Sequence, residues 1–278
     1  MTRKNIPDFE PQWDLPKTPL KSAYIVCTTP RTGSNLLCFA LAEQRIGTPL
    51  EYLNLLGNGS TQNFYDRITE SSLETDIQTG VTGAEMCAKY IPAIVHHRTT
   101  ANGFFGMKVF AHHFTNLFGN ADLSVLTSLI GRKPKLIHLV RENLIELTVS
   151  FITARNSQRW HSEMTSEESR KTVYNFDEFF DTMLDLSTVQ NKWDVIFKKH
   201  INNDILRITY KQLAEQYTET IAHVNSYLGA TNVEIPPPPI KRQLSDEKLE
   251  LIDQFTTDCR RNAKQVRMAL RRSKQANR

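Results

Sequence analysis

At 278 residues, with 40% hydrophobic and 23% charged side chains, the chain suits one large α/β domain or one domain with an appendage. No apolar run is long enough to span a bilayer, and residues 1–20 hold no apolar core of the secretory-signal kind. The formal net charge of +4 is a property of one end: residues 259–278 carry eight Lys or Arg and no acid, which leaves the first 258 residues at −4 and gives no reason to expect a nucleic-acid partner.

Four cysteines, Cys27, Cys38, Cys87 and Cys259, form no C-x-x-C pair and no His–Cys metal spacing, so the expectation is a reduced, cytoplasmic protein without structural zinc. Residues 1–20, with four prolines and Trp13, read as an extended surface arm. A run of β-formers over 23–27 then stops at Thr28-Thr29-Pro30-Arg31-Thr32-Gly33, and a helical pattern begins at Ser34 and runs to residue 45, with Leu37 and Leu41 on one face. Strand, glycine turn and helix N-terminus make an anion cradle, because first-turn N–H groups lack intrahelical partners. Thr32 and Ser34 add hydroxyls, and Arg31 adds a planar cation suited to phosphate or sulfate.

The loop departs from the G-x-x-x-x-G-K-[ST] phosphate loop at three places. With Gly33 as the second glycine, Thr28 replaces the first, Ser34 replaces the lysine and Asn35 replaces the metal-binding hydroxyl. Such a loop is poorly equipped for a magnesium triphosphate and suits a less charged, metal-free group.

The stretch from Thr28 to Asn35 resembles the 5′-phosphosulfate loop of sulfotransferases, which use 3′-phosphoadenosine 5′-phosphosulfate (PAPS). It is most similar to bacterial carbohydrate sulfotransferases of the trehalose 2-sulfotransferase type, and the likeness extends from about Tyr24 to Asp258. The resemblance implies that Pro30, Arg31, Thr32, Gly33, Ser34 and Asn35 cradle the donor.

Beyond the first helix, Gly47 and Pro49 stop helical continuation and put Glu51 on a loop. On residue type alone a loop glutamate is a solvated side chain. The family's Gly-x-Pro-x-Glu segment makes Glu51 the general base. Residues 55–82, rich in Gly, Asn, Ser and Thr, read as an irregular segment near the acceptor, with Asn54, Asn58 and Asn63 as polyol contacts. A helix over 84–98 and a strand over 104–110 follow. Lys108 interrupts that strand, either as an edge lysine facing water or, following the family's Gly-x-Lys pattern, as a cation near the transferring group. His112 and His113 read as surface residues at a helix start. Phe110 occupies the place where some animal sulfotransferases carry a histidine base.

The apolar strand over 134–140 ends at Arg141, on the rim where open α/β sheets bind ligands, and a helix over 144–156 carries Ser150. In the family this Arg and Ser, followed by an aromatic residue as in Ser150-Phe151, hold the 3′-phosphate. Trp160 is a candidate to stack on a sugar. A long amphipathic helix spans 176–201, then a strand over 205–210 and a helix over 211–228. Tyr210-Lys211-Gln212-Leu213 resembles the family's Tyr-x-x-Leu, with Tyr210 beside the adenine. After the connector Pro236–Pro239, Arg242 lies in an Arg-Gln pair shared with the relatives, which makes it a further anion contact. A helix starts at Ser245, and the basic stretch 259–278 reads as a solvated or frayed tail.

The expected fold is α/β, P-loop-like: three layers, α/β/α, with a central mostly parallel sheet and helices on both faces, residues 21–258 forming the domain. The expected reaction is PAPS-dependent sulfuryl transfer, without a metal, to a carbohydrate or glycolipid hydroxyl. Glu51 takes the proton, while Arg31 and Lys108 stabilise the leaving oxygen. The relatives form dimers, so the resemblance brings a homodimer into consideration. A kinase-like phosphotransferase and a non-enzymatic nucleotide- or nucleic-acid-binding protein are the competing readings.

Overall fold

A computed structural model describes residues 7–55, 57, 59–157, 171–199, 204–240 and 245–275. Four strands, β1 (Ser22–Thr28), β2 (Phe104–Phe110), β3 (Lys135–Val140) and β4 (Ile205–Thr209), form one sheet in the order β2-β1-β3-β4. Every pairing is parallel: Ser22 faces Phe104, Tyr24 faces Lys135 and Leu136 faces Ile205. From β1 the chain reaches β2 on one side and then β3 on the other, so the carboxyl ends of β1 and β3 flank a topological switch point, where such sheets open a crevice.

Alternation along the strands sorts their side chains into two cores. Ile25, Cys27, Met107 and Val109 pack with Tyr90 and Ile94 of α4 (Gly83–Arg98), Phe114 of α5 (Ala111–Phe118) and Trp193 of α8 (Phe176–Lys198). On the opposite face Tyr24, Val26, Ile137 and Ile208 meet Leu37 and Leu41 of α1 (Ser34–Glu43), Leu213 of α9 (Tyr210–Glu215) and Ile221 and Val224 of α10 (Tyr217–Leu228). The expected three layers are present.

Elsewhere the chain is more helical than its composition suggests. Residues 55–82, expected to be irregular, contain α2 (Gly59–Thr69) and α3 (Leu73–Gln78). In α2, Thr61, Phe64 and Tyr65 are buried at helical spacing, a stripe obscured by the polar residues around it. Ser72 caps α3 through the Thr75 N–H. A short helix not foreseen, α6 (Ser124–Ile130), precedes β3. The single helix expected over 211–228 is two, divided at Gln216, whose φ and ψ of −129° and 51° leave the helical region.

Residues 7–20 of the N-terminal arm are tied to the helices: Asp14 pairs with Arg67 of α2 and, at 3.0 Å, with the buried Arg98 of α4. At the other end, α7 (Leu144–Ser157), α8 and α11 (Asp246–Arg261) share a third core of Val149, Ile152, Phe179, Leu251 and Phe255. Val266, Ala269 and Leu270 of α12 (Ala263–Gln275) pack against that core. Residues 263–275 of the basic tail therefore dock as an amphipathic helix, because three apolar residues at helical spacing give it a face to bury. Among the described residues no helix is long and apolar enough to cross a membrane.

Candidate active site

The loop after β1 is built around its own hydroxyls. Thr28 Oγ1 bonds Leu139 O at 2.9 Å and lies 2.5 Å from Thr32 Oγ1, which donates to Thr29 O at 2.9 Å. Buried Trp193 donates its indole N–H to Thr28 O at 2.8 Å. Thr32 is fully buried, and its hydroxyl makes its bonds within the loop.

Two backbone features aim the loop. Arg31 has φ of +66°, an uncommon left-handed conformation for a non-glycine residue, of the kind that persists where surrounding structure over-determines it. Gly33 has φ of +83°, and a Cβ there would lie 2.7 Å from the Tyr210 ring. Only glycine lets α1 begin against that tyrosine. Gly33 is the N-cap of α1 and brings no side chain to its N-terminus, and the buried Ser34 follows it.

One half of the site is cationic. Arg31 Nε donates to Ser150 Oγ at 3.2 Å, and Arg141 Nη1 donates to Arg31 O at 3.3 Å. Arg141 also meets Glu146 at 2.8 Å, and its guanidinium lies 4.3 Å from the Tyr210 ring centroid. Arg141 Nε is buried with no hydrogen-bond partner among the described residues. Burial, and then the charge of Arg141, hold the Arg31 pKa below its usual value. Two partly desolvated guanidiniums with an unused buried donor fit an anionic ligand. Beside them a cavity of about 330 Å³ is lined by Arg141, Asn143, Glu146, Tyr210 and Lys211.

The other half holds Glu51 and Lys108, placed by backbone contact. Tyr24 Oη donates to Ile46 O at 2.5 Å across Gly106, where a Cβ would lie 2.3 Å from Tyr24 Cζ. Gly47, at φ of +76°, approaches β2 so closely that a Cβ would sit 2.7 Å from Gly106 N. The chain then runs beside β2 for one step: Leu50 bridges Met107, and Lys108 N donates to Leu50 O at 2.9 Å. The next side chain, Glu51, meets the Lys108 ammonium at 2.7 Å, and Lys108 Nζ also donates to Asn35 Oδ1 at 2.6 Å. Lys108 is only 5% exposed, which rules out the edge lysine facing water.

His112 and His113, expected on the surface, are half-buried instead. Burial, chiefly, and the nearby charges of His112 and Lys108 push His113 down to about 4, against a smaller opposing effect of Glu51. Its ring is neutral at physiological pH, with Nδ1 buried and unpartnered among the described residues.

The structure thus brings Arg31, Gly33, Ser150, Arg141 and Tyr210 together, and separately Asn35, Lys108 and Glu51, with the loop joining the groups. Pro30 lies half-buried in that loop. Arg242, Asn58 and Trp160 lie outside the described residues. Sequence reasoning passed over Trp193, whose contact with Thr28 spans 165 positions.

The family profile described as Stf0 sulphotransferase matches residues 23–258. The trehalose 2-sulfotransferase of Mycolicibacterium smegmatis is 22% identical over 262 residues, covering 87% of this chain and 97% of its own. That of Mycobacterium tuberculosis is 23% identical over 256 residues, covering 86% and 96%. Among solved structures, the sulfotransferase domain from the curacin biosynthetic pathway covers 83% of this chain and 80% of its own at 14% identity, with a TM-score of 0.46.

Proposed function

The chain belongs to the Stf0 sulphotransferase family, and from that premise we propose that it transfers a sulfuryl group from PAPS to a hydroxyl of a carbohydrate or glycolipid. Relatives named trehalose 2-sulfotransferase support that acceptor class. The observation that carries the reading is the Lys108 ammonium, which touches both Glu51 and Asn35 and so couples a candidate base to the anion cradle.

Residues 30–35 and the N-terminus of α1 would hold the 5′ end of the donor, Arg141 and Ser150 its 3′-phosphate, and Tyr210 the adenine. Arg242 is a further candidate for an anion contact. When bound, the donor supplies the sulfuryl group together with a phosphate leaving group. Glu51 accepts the proton of the acceptor hydroxyl. Lys108 orients that carboxylate. As Glu51 becomes neutral its attraction for Lys108 weakens, and the ammonium turns its charge toward the cradle, where Asn35 already accepts one of its hydrogen bonds.

The test is calorimetric titration with adenosine 3′,5′-bisphosphate beside ATP with magnesium. Tight binding of the bisphosphate, lost in Arg31→Ala and Arg141→Ala, is the expected result. Preference for magnesium ATP would replace this reading with a kinase-like phosphotransferase.

A further inference from the structure

Glu51 lies outside the helices and strands, so its direction is set by the anchors on either side of it. The backbone around it makes two turn bonds, Leu50 N to Thr48 O and Asn54 N to Glu51 O, both at 3.0 Å. Upstream, Leu50 is held against β2 by its bridge to Met107. Downstream the anchor is Tyr52, which is fully buried and donates its hydroxyl to Thr48 O at 2.6 Å. Tyr52 and Glu51 share a rigid peptide plane, so a shift of one is passed to the other.

Three rings pack against Tyr52. Phe105 of β2 stacks on it at 6.5 Å between centroids, Phe64 of α2 lies at 5.9 Å, and Phe9 of the N-terminal arm meets it edge-on at 5.8 Å. Phe9 owes its place to the polar ties of the arm. Arg67 of α2 donates to Phe9 O at 2.7 Å, Leu15 N donates to His97 O at 2.9 Å, and Asp14 pairs with both Arg67 and Arg98. Arg98 is fully buried, with its guanidinium 4.7 Å from the centroid of the Phe64 ring. Its Nε and Nη1 have no hydrogen-bond partner among the described residues. A buried cation of that kind needs a counter-charge close by, and here the arm supplies it. Lifting the arm away would leave Arg98 uncompensated, so the ion pair holds Asp14, and with it Phe9, in place.

We propose that the N-terminal arm is a positioning element for the Glu51 half of the site. Asp14 latches it to Arg98, and Phe9, through Tyr52, holds Glu51 against Lys108. The assignment rests on Glu51 being the base, as in the function proposed above. Neither ring partner of Phe9, Tyr52 or Phe64, belongs to the cationic half of the site, so its loss should fall on transfer and spare the donor nucleotide.

The experiment compares the full chain, wild type, Phe9→Ala and Phe9→Leu, with glutamate isotopically labelled at its carboxyl carbon and read by NMR. The resonance missing from the Glu51→Gln spectrum belongs to Glu51. Phe9→Ala should move or split that resonance and keep its affinity for adenosine 3′,5′-bisphosphate within about twofold of wild type. With PAPS and trehalose as probes, its kcat should fall at least roughly tenfold while the donor KM holds. Phe9→Leu refills most of the space and should restore both readings. Should Phe9→Ala melt early, Arg67→Gln removes the bond to Phe9 O, leaves the Arg98 pair in place and should move the same resonance. Where trehalose is not turned over, the resonance decides. An unmoved Glu51 resonance, or bisphosphate affinity falling in step with turnover, overturns the arm's role while Glu51 stands as the base. Wild-type turnover in Glu51→Gln removes the base and this assignment together.

Discussion

The Lys108 ammonium stands 2.7 Å from Glu51 and 2.6 Å from the side-chain oxygen of Asn35, so one buried cation joins the loop after α1 to the first turn of α1. If the three act as a unit, their substitutions are not additive. Glu51→Gln should bind adenosine 3′,5′-bisphosphate within about threefold of wild type and lose at least roughly 100-fold in sulfuryl transfer. Lys108→Met should also lose turnover. The double variant should be little worse than Glu51→Gln alone in single-turnover assays. Losses that multiply would show that the two residues work independently.

A second prediction concerns the close approach that places Glu51. Tyr24 crosses β2 where residue 106 has no side chain, so Gly106→Ala forces the ring or the strand to move. The expected cost is about 1–3 kcal/mol in urea unfolding. Gly59→Ala, at a position with open space around it, is the control and should change stability by less than about 1 kcal/mol. Equal midpoints for the two variants would discount the contact.

Trp193 offers a third. Trp193→Phe keeps a large ring in the core but removes the donor to Thr28 O. Stability should fall by about 1–3 kcal/mol, and bisphosphate affinity should fall with it because the loop loses an anchor. A destabilised variant with unaltered affinity would confine Trp193 to packing.

The fourth is a pH dependence. His138 is buried, and desolvation, with a smaller contribution from Arg207, pushes its pKa down to about 4; His113 is shifted similarly. Unfolded histidines titrate near about 6.5. Between these values the unfolded chain binds more protons than the folded one, so stability rises with pH across that window. The contribution is fully present above about 6.5 and is lost as pH falls toward 4. His138→Gln should flatten the slope of urea midpoint against pH between 4.5 and 6.5, as checked by titrations across about that range. An unchanged slope would show that His138 does not contribute to it.

The strands and the cradle were legible because their signals are local. The β-formers of 104–110 are bounded by a turn and a helix start, and Pro-Arg-Thr-Gly-Ser sits where strand becomes helix. The helices of 59–78 were not, since their apolar stripe is thin and surrounded by residues that favour turns. Glu51 and Lys108 were each singled out, but their contact depends on Gly47, Gly106 and Tyr24 meeting across the fold, a relationship with no trace in spacing.

The sheet order has a consequence for how the protein is made. Its central strand has no nearby partner: Ser22 pairs with Phe104 and Tyr24 with Lys135, so no hairpin can shelter β1 early. At roughly 5–20 residues per second, the ribosome delivers β2 and β3 several seconds after β1. Throughout that interval the apolar run Tyr24–Cys27 waits unpaired, which makes this segment the natural target for a holdase and the first place to look when overexpression yields inclusion bodies.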